Sequence, residues 1–363
     1  MDRSKNYCVI MAGGIGSRFW PMSRTEMPKQ FLDILGTGKS LIRQTFERFA
    51  NVCPAENVLV VTNAAYEGLV LEHLPELKSD QVLCEPEGRN TAPCIAYANY
   101  HIASKTEEAN IIVAPSDHLI ADVPSFEKII GIALQEASST KNLVTLGITP
   151  TRPDTGYGYI HFEPKNNARD PLLNSVIEFK EKPDIETAKG FLAEGNYAWN
   201  SGIFIWSLEN IMKSFHEYLP DMVSIFEEGK EAMGTDFEDD FIRDNFSRCE
   251  SISIDYGVLE RADHVSVVES EFGWSDLGTY GSLYTHLEKN SNGNAIVGGE
   301  AKLYESKGNL INVSPGKLIV TKGLEDFIVV ETEKSLMIIP RKDEQFVKNI
   351  VNDLKDSGKK SFY

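Results

Sequence analysis

The stretch that most constrains this chain is an apolar run, Tyr7 to Ala12, that passes directly into Gly13-Gly14-Ile15-Gly16-Ser17-Arg18. A buried strand ending in a glycine-rich turn places that turn at the carboxyl edge of a sheet, where α/β folds bind ligands. Glycines let backbone N–H groups crowd around phosphate oxygens, and Arg18 adds a guanidinium fork. The dinucleotide fingerprint is not met, because Phe19 stands where the third glycine after Gly14-x-Gly16 belongs. An NAD-dependent dehydrogenase is disfavoured on that ground. The same residues also suit a plain tight turn, so phosphate binding needs support from elsewhere in the chain.

From Tyr7 to about Val268, short apolar runs alternate with longer helical patterns, the rhythm of an α/β fold with a Rossmann-like, mostly parallel sheet. Strands are predicted at Tyr7 to Ala12, Val58 to Thr62, Val82 to Glu85, Ile111 to Ala114, Leu143 to Ile148, Val176 to Lys180 and Ile203 to Trp206. Apolar residues at helical spacing predict helices over Ser40 to Ala50, Ala92 to Ser104, Ser125 to Ala137 and Ile185 to Glu194. The polar stretch from Lys289 to Asn294 reads as a linker. Beyond residue 310, apolar runs recur every eight to ten residues between Gly, Pro, Lys or Glu, which predicts a small β-rich domain and a closing helix from about Asp343 to Leu354. No exact internal repeat stands out there, and a short β-helix and an irregular β-roll both remain open. With 363 residues, too many for one typical core, the division is a catalytic domain over 1–288 and a C-terminal β domain over 294–363.

Charge and cysteines narrow the function classes. A net charge of -18 argues against nucleic acid and anionic membrane as partners, so any phosphate site must be locally basic. Five cysteines with no C-x-x-C pair fit neither a disulfide framework nor a zinc site. The early apolar run is too short for a signal-peptide core or a membrane span, and a cytoplasmic location follows.

Support for the first loop comes from Trp20-Pro21-Met22-Ser23-Arg24 and Met27-Pro28-Lys29-Gln30-Phe31, which add cations on a restricted backbone. Gly36-Thr37-Gly38-Lys39-Ser40 imitates the end of a Walker loop. Asp33 at its first glycine position would repel polyphosphate, so this segment reads as a turn with Ser40 capping a helix. Ala12 to Arg18 together with Pro28-Lys29-Gln30 resembles the nucleotidyltransferase signature of the sugar-nucleotide pyrophosphorylases. Phe19-Trp20-Pro21 and Gly88-Arg89-Asn90-Thr91-Ala92-Pro93 resemble the mannose-1-phosphate guanylyltransferase branch in particular.

The resemblance runs through most of the first 290 residues and implies roles. Ala12, Gly13, Gly14, Gly16, Ser17, Glu85, Gly88, Arg89, Asn90 and Thr91 would bind the nucleotide. Asp117 in Pro115-Ser116-Asp117-His118 and Asp276 in Trp274-Ser275-Asp276-Leu277-Gly278 would hold Mg2+. Gly156, Tyr157 and Gly158 would lie against the sugar, with Glu181 and Asn200 on its hydroxyls and Lys182 on its phosphate. Arg18, Lys29 and Lys182 would be the catalytic cations in transfer of GMP from GTP to mannose 1-phosphate. That reaction needs no protein nucleophile and no general base, because a sugar phosphate is already ionised at neutral pH. The nearest alternative is a sibling transferase for another sugar or base, such as a glucose-1-phosphate or fucose-1-phosphate enzyme. A non-catalytic nucleotide-sugar sensor is the remoter one.

Guanine offers two adjacent donors, N1–H and the exocyclic amine, which a carboxylate at Glu85 would accept. The alternative is that backbone groups read guanine and Glu85 caps a turn. The C-terminal region carries no cluster of metal ligands or phosphate cations and receives no chemistry. Its exposed strand edges predict a homodimer built partly through residues beyond about 293. The chain ends without the long extension that carries phosphomannose isomerase activity in bifunctional relatives, and no isomerase is expected.

Overall fold

The computed structural model describes residues 3–164 and 170–363. Two compact units are present, one formed by Met1–Gly13, Phe46–Ser116 and Ile120–Trp274, the other by Gly14–Thr45, Asp117–Leu119 and Ser275–Tyr363. In chain order the strands are β1 (Asn6–Met11), β2 (Val58–Asn63), β3 (Val82–Glu85), β4 (Asn110–Pro115), β5 (Leu119–Ile120), β6 (Leu143–Ile148), β7 (Tyr159–Pro164), β8 (Leu173–Lys180), β9 (Tyr197–Ser207), β10 (Val265–Ser270), β11 (Trp274–Ser275), β12 (Ala295–Tyr304), β13 (Leu310–Lys322), β14 (Phe327–Glu331) and β15 (Leu336–Pro340). The α-helices are α1 (Leu41–Phe49), α2 (Glu67–His73), α3 (Thr91–Lys105), α4 (Val123–Ser139), α5 (Ile185–Glu194), α6 (Leu208–Tyr218), α7 (Pro220–Glu228), α8 (Glu238–Asn245), α9 (Tyr280–His286) and α10 (Val347–Asp356).

The first unit is built on a nine-stranded sheet in the order β3-β2-β1-β4-β9-β6-β10-β8-β7. β1 pairs in parallel with β2 and β4, and β2 with β3, so the carboxyl ends of these four strands share one edge. Gly13, Glu85 and Ser116 all emerge at that edge. β9 runs antiparallel to both β4 and β6, so the parallel register breaks in the middle of the sheet. Strands covered on both faces carry continuous apolar runs: every residue of β6 is buried.

The predicted helices fall on α1, α3, α4 and α5. Helix α3 is buried from Ala92 to Ile102 because Ala92, Ala96 and Ala98 let it sit close to the sheet, where Ile95 and Tyr97 share a core with Val9, Leu59, Val113 and Trp206. Asp122 caps α4 by accepting from Ser125 N at 3.1 Å, and Asp184 caps α5 by accepting from Thr187 N at 2.9 Å. Helices α6 to α8 lie in a stretch where the sequence pattern predicts no element. Leu208, Ile211 and Phe215 of α6 nevertheless bury one face at helical spacing.

In the second unit β12, β13 and β14 are parallel neighbours, although only residues 305–309 connect the first two. That is too short for a helical crossover, so the chain must coil back on itself as a β-helix. Ala295 sits opposite Leu310, fifteen residues later. The sequence carries the same spacing, since Ser291-Asn292-Gly293-Asn294 returns as Ser306-Lys307-Gly308-Asn309. Gly293 and Gly308 both turn through positive φ, at 73° and 68°. Asn309 Nδ2 donates at 2.8 Å to both Asn294 Oδ1 and Leu324 O, which ties the coils together through buried side chains. A repeat therefore exists where none was expected. The next coil is longer, Leu310 facing Ile328, which hides the period.

Candidate active site

The decoy loop and the glycine-rich loop separate at once. Asp33 accepts from Thr37 N at 2.9 Å and Gly38 N at 2.6 Å, so the amides that a Walker loop offers to phosphate are already used. At Gly14, by contrast, an added Cβ would meet nothing within 4 Å, and at Gly13 only Glu85 Oε2 at 3.7 Å. Packing does not demand glycine at either position. The backbone at both positions is left open to close approach from outside.

Gly16 is the structural glycine of the loop. Its φ is 70°, and a Cβ there would come within 2.4 Å of Lys29 Cβ. That closeness brings Lys29 under the loop, where Lys29 N donates to Ile15 O at 3.0 Å. The Lys29 ammonium is 2.9 Å from Asp117 Oδ2 and 2.8 Å from Asp276 O, with its side chain 4% exposed. Asp276 Oδ1 accepts from Gly278 N at 2.9 Å. Burial raises the Asp117 carboxyl, but the charges of Lys29 and His118 outweigh it and hold the group below the usual range. Ser17, Arg18, Lys29, Asp117 and Asp276 line one pocket of about 310 Å³ within the second unit. Arg18 is exposed on the 3-10 turn Ser17–Phe19 and has no ion-pair partner among the described residues.

Among the described residues no group of three or more His, Cys, Asp and Glu side chains forms a metal cluster. The pocket's two carboxylates, Asp117 and Asp276, still fit Mg2+, which binds through one or two carboxylates and takes its remaining ligands from phosphate and water.

In the first unit, Glu85 closes β3 with its side chain 5% exposed, and Oε1 has no hydrogen-bond partner among the described residues. Burial pushes its carboxyl up to about 8. Gly88 is exposed in the following loop. Arg89 pairs with Glu87 and reaches Cys249 O at 3.4 Å. Asn90, at φ 69°, accepts from Thr91 N at 2.9 Å, and Thr91 Oγ1 accepts from Ile254 N at 2.8 Å. These side chains shape the start of α3 and fix residues 252–254 beside it. Ala12 is buried, its N donating to Val61 O at 2.8 Å, which anchors the strand end ahead of the loop.

The residues expected at the sugar also gather in the first unit. Lys182, at φ 41°, pairs with its neighbour Glu181, and Glu181 Oε2 lies 2.8 Å from where a Cβ on Gly158 would stand. Asn200 N donates to Gly158 O at 2.8 Å. The Asn200 amide donates to Asp255 Oδ1 at 2.7 Å and its carbonyl accepts from Gly202 N at 3.1 Å. Tyr157 packs edge-on against Trp199 and Trp274 at 5.1 and 5.2 Å. Gly156 N donates to Asp154 Oδ1 at 2.8 Å.

Two residues of these sites went unread in the sequence. Asp255 opens a π-helical turn, Asp255–Leu259, a rare conformation with no sequence signal of its own. Burial raises its carboxyl, and the Asn200 hydrogen bond only partly opposes that. Lys348 of α10 lines the pocket of Arg18 and Lys29, and nothing in its local sequence marks it.

All five cysteines are free thiols, and no helix among the described residues is long and apolar enough to cross a membrane. A family model for nucleotidyl transferases matches residues 7–292, and one for MannoseP isomerase/GMP-like β-helix domains matches 299–354. The mannose-1-phosphate guanylyltransferase of Escherichia coli (strain K12) is 35% identical over 367 residues, covering 99% of this chain and 75% of its own length. That of Salmonella montevideo is 38% identical over 357 residues, covering 96% of this chain and 73% of its own. A solved protein of Thermus thermophilus, described as a mannose-1-phosphate geranyltransferase, superposes with a TM-score of 0.87 at 29% identity, covering 97% of this chain and 99% of its own. With the pocket and the two-unit fold, these matches make the chain a nucleotidyltransferase enzyme that belongs to the mannose-1-phosphate guanylyltransferase family.

Proposed function

We propose that the enzyme transfers GMP from GTP to mannose 1-phosphate, giving GDP-mannose and pyrophosphate. The observation that carries this reading is the pocket in which a glycine-rich loop, Arg18 and Lys29 face the carboxylates of Asp117 and Asp276. A phosphate oxygen of mannose 1-phosphate attacks the α-phosphorus of GTP in line, the bond from that phosphorus to the β-phosphate oxygen breaks, and pyrophosphate leaves. No proton has to move. The work of the protein is to align two anions and offset their repulsion. Arg18 and Lys29 take the triphosphate, with the amides of Gly13, Gly14, Gly16 and Ser17 around it, and Lys182 takes the sugar phosphate. Held by Asp117 and Asp276, Mg2+ would supply neutralising charge to the nucleotide phosphates.

Glu181, Asn200 and the Gly156-Tyr157-Gly158 segment form the sugar side of this reading, while Glu85 and Gly88 to Thr91 form the base side. The site residues read from the sequence lie within 1–288, and strands of 294–363 serve assembly, in a cytoplasmic homodimer. Exposed Tyr304, Leu318, Val320, Leu336 and Ile338 on β12, β13 and β15 support a partner for the C-terminal strands. A monomer in sedimentation at working concentration would contradict that.

The division of cations is testable by titrating each substrate separately. One charged hydrogen bond is worth about 1.5–3 kcal/mol. Lys182→Ala should therefore raise KM for mannose 1-phosphate roughly tenfold or more, with KM for GTP nearly unchanged. Arg18→Ala should do the opposite. The reverse pattern in both variants would show the assignment to be wrong.

A further inference from the structure

We propose that Lys348, on the C-terminal helix α10, binds the pyrophosphate portion of the nucleotide, so that the segment beyond the linker supplies charge to the reaction as well as fold. The inference rests on the proposed use of GTP and extends it to a residue outside the glycine-rich loop and its carboxylates.

Lys348 lines the same pocket as Ser17, Arg18, Lys29, Asp117 and Asp276, and all of them belong to the second unit. Its place there is held by its neighbours on the helix. Val347 and Val351 are buried, and they share a hydrophobic core with Phe19 and Trp20, the two residues that follow Arg18. Trp20 Nε1 donates to Phe362 O at 2.6 Å, so the chain terminus also holds the loop side of this core. Tyr280 Oη donates to Phe19 O at 2.9 Å and to Trp20 O at 3.1 Å, and Glu344 accepts from Gly281 N at 2.5 Å. The helix bearing Lys348 and the turn bearing Arg18 are thus packed on one another, and Lys348 is not a lysine on an independent surface.

Charge explains why a further cation is needed. The ammonium of Lys29 is already matched by the Asp117 carboxylate at 2.9 Å, and Asp276 brings a second negative charge. With Arg18 these fixed side-chain charges sum to about zero, so even with Mg2+ held by the carboxylates the pocket falls short of a triphosphate carrying several negative charges, in a protein whose net charge is -18. Lys348 is exposed and has no ion-pair partner among the described residues, so its charge is available to an incoming anion.

The test uses the full-length enzyme with Mg2+ and the variants Lys348→Ala and Lys348→Arg. KM is measured for GTP and mannose 1-phosphate in the forward direction and for pyrophosphate in the reverse direction, and GMP binding is measured by calorimetry. Lys348→Ala should raise KM for GTP and for pyrophosphate about tenfold, while KM for mannose 1-phosphate and the Kd for GMP, which lacks the β- and γ-phosphates, stay within about twofold. Lys348→Arg should recover most of the loss, and the melting temperature should be unchanged in both. Parent values of KM for GTP and pyrophosphate in Lys348→Ala would overturn the inference. So would a loss of GMP affinity as large as the loss for GTP. A parent enzyme that fails to turn over GTP overturns the reading on which the inference rests, which separates the two failures.

Discussion

Replacing Asp276 by Asn should lower turnover by about a thousandfold, the scale expected when several kcal/mol of charge stabilisation is lost. The substitution keeps shape, and Oδ1 can still accept from Gly278 N. It also leaves the hydrogen bond from Lys29 to the backbone oxygen of Asp276 intact. A loss of activity in this variant therefore reads the carboxylate alone. Asp117→Asn should fall at least as far, since it removes both a proposed metal ligand and the ion pair at 2.9 Å that orients Lys29. Higher Mg2+ should be required for half-maximal rate in Asp276→Asn, with the thermal melt unchanged. Near-normal turnover in the folded Asp276→Asn protein would take this residue out of the metal shell.

The second large effect concerns the base. Glu85 is buried with an unpartnered oxygen, and its carboxyl titrates at about 8 because burial disfavours the ionised form. Guanine presents two donors, which favour the ionised form, so binding GTP at neutral pH should release a proton from this group. The sign follows directly. Affinity for GTP should rise as pH increases toward 8 and level off above it, by up to about tenfold per pH unit. Glu85→Gln cannot ionise and should lose that dependence. Its preference for GTP over ATP should also shrink by about tenfold to a hundredfold, the value of a two-point contact with a base. ITP, which lacks the exocyclic amine, should suffer relative to GTP in the parent enzyme. If Glu85→Gln kept both the base preference and the pH dependence of the parent, backbone groups would be the reader.

Local chemistry made part of this molecule legible and distance in sequence hid the rest. The run from Tyr7 to Arg18 announces a strand and a glycine-rich turn at its end, because a continuous apolar stretch suits a covered strand and clustered glycines suit a turn. The expected helices at Ser40 to Ala50, Ala92 to Ser104, Ser125 to Ala137 and Ile185 to Glu194 correspond to α1, α3, α4 and α5, whose spacing is set by one buried face. The reversal of β9 could not be read, since its residues suit either direction and only its neighbours β4 and β6 decide. The β-helix left a trace at Gly293-Asn294 and Gly308-Asn309, but the longer next coil obscured it. At the site, the position of Asp255 beside Asn200 depends on a π-helical turn, and that of Lys348 on packing of α10 against Phe19 and Trp20. Such placements come from tertiary contacts that no local pattern encodes.

The central claim, that GTP and mannose 1-phosphate are the substrates, is tested most directly by measuring pyrophosphate release with Mg2+ across every pairing of GTP, ATP, UTP, CTP and dTTP with mannose, glucose, galactose and fucose 1-phosphates. The account predicts that GTP with mannose 1-phosphate gives the highest catalytic efficiency, with no release when the sugar phosphate is omitted. Faster turnover of another base or another sugar phosphate would contradict it, and release that does not depend on any sugar phosphate would remove the transfer reaction itself.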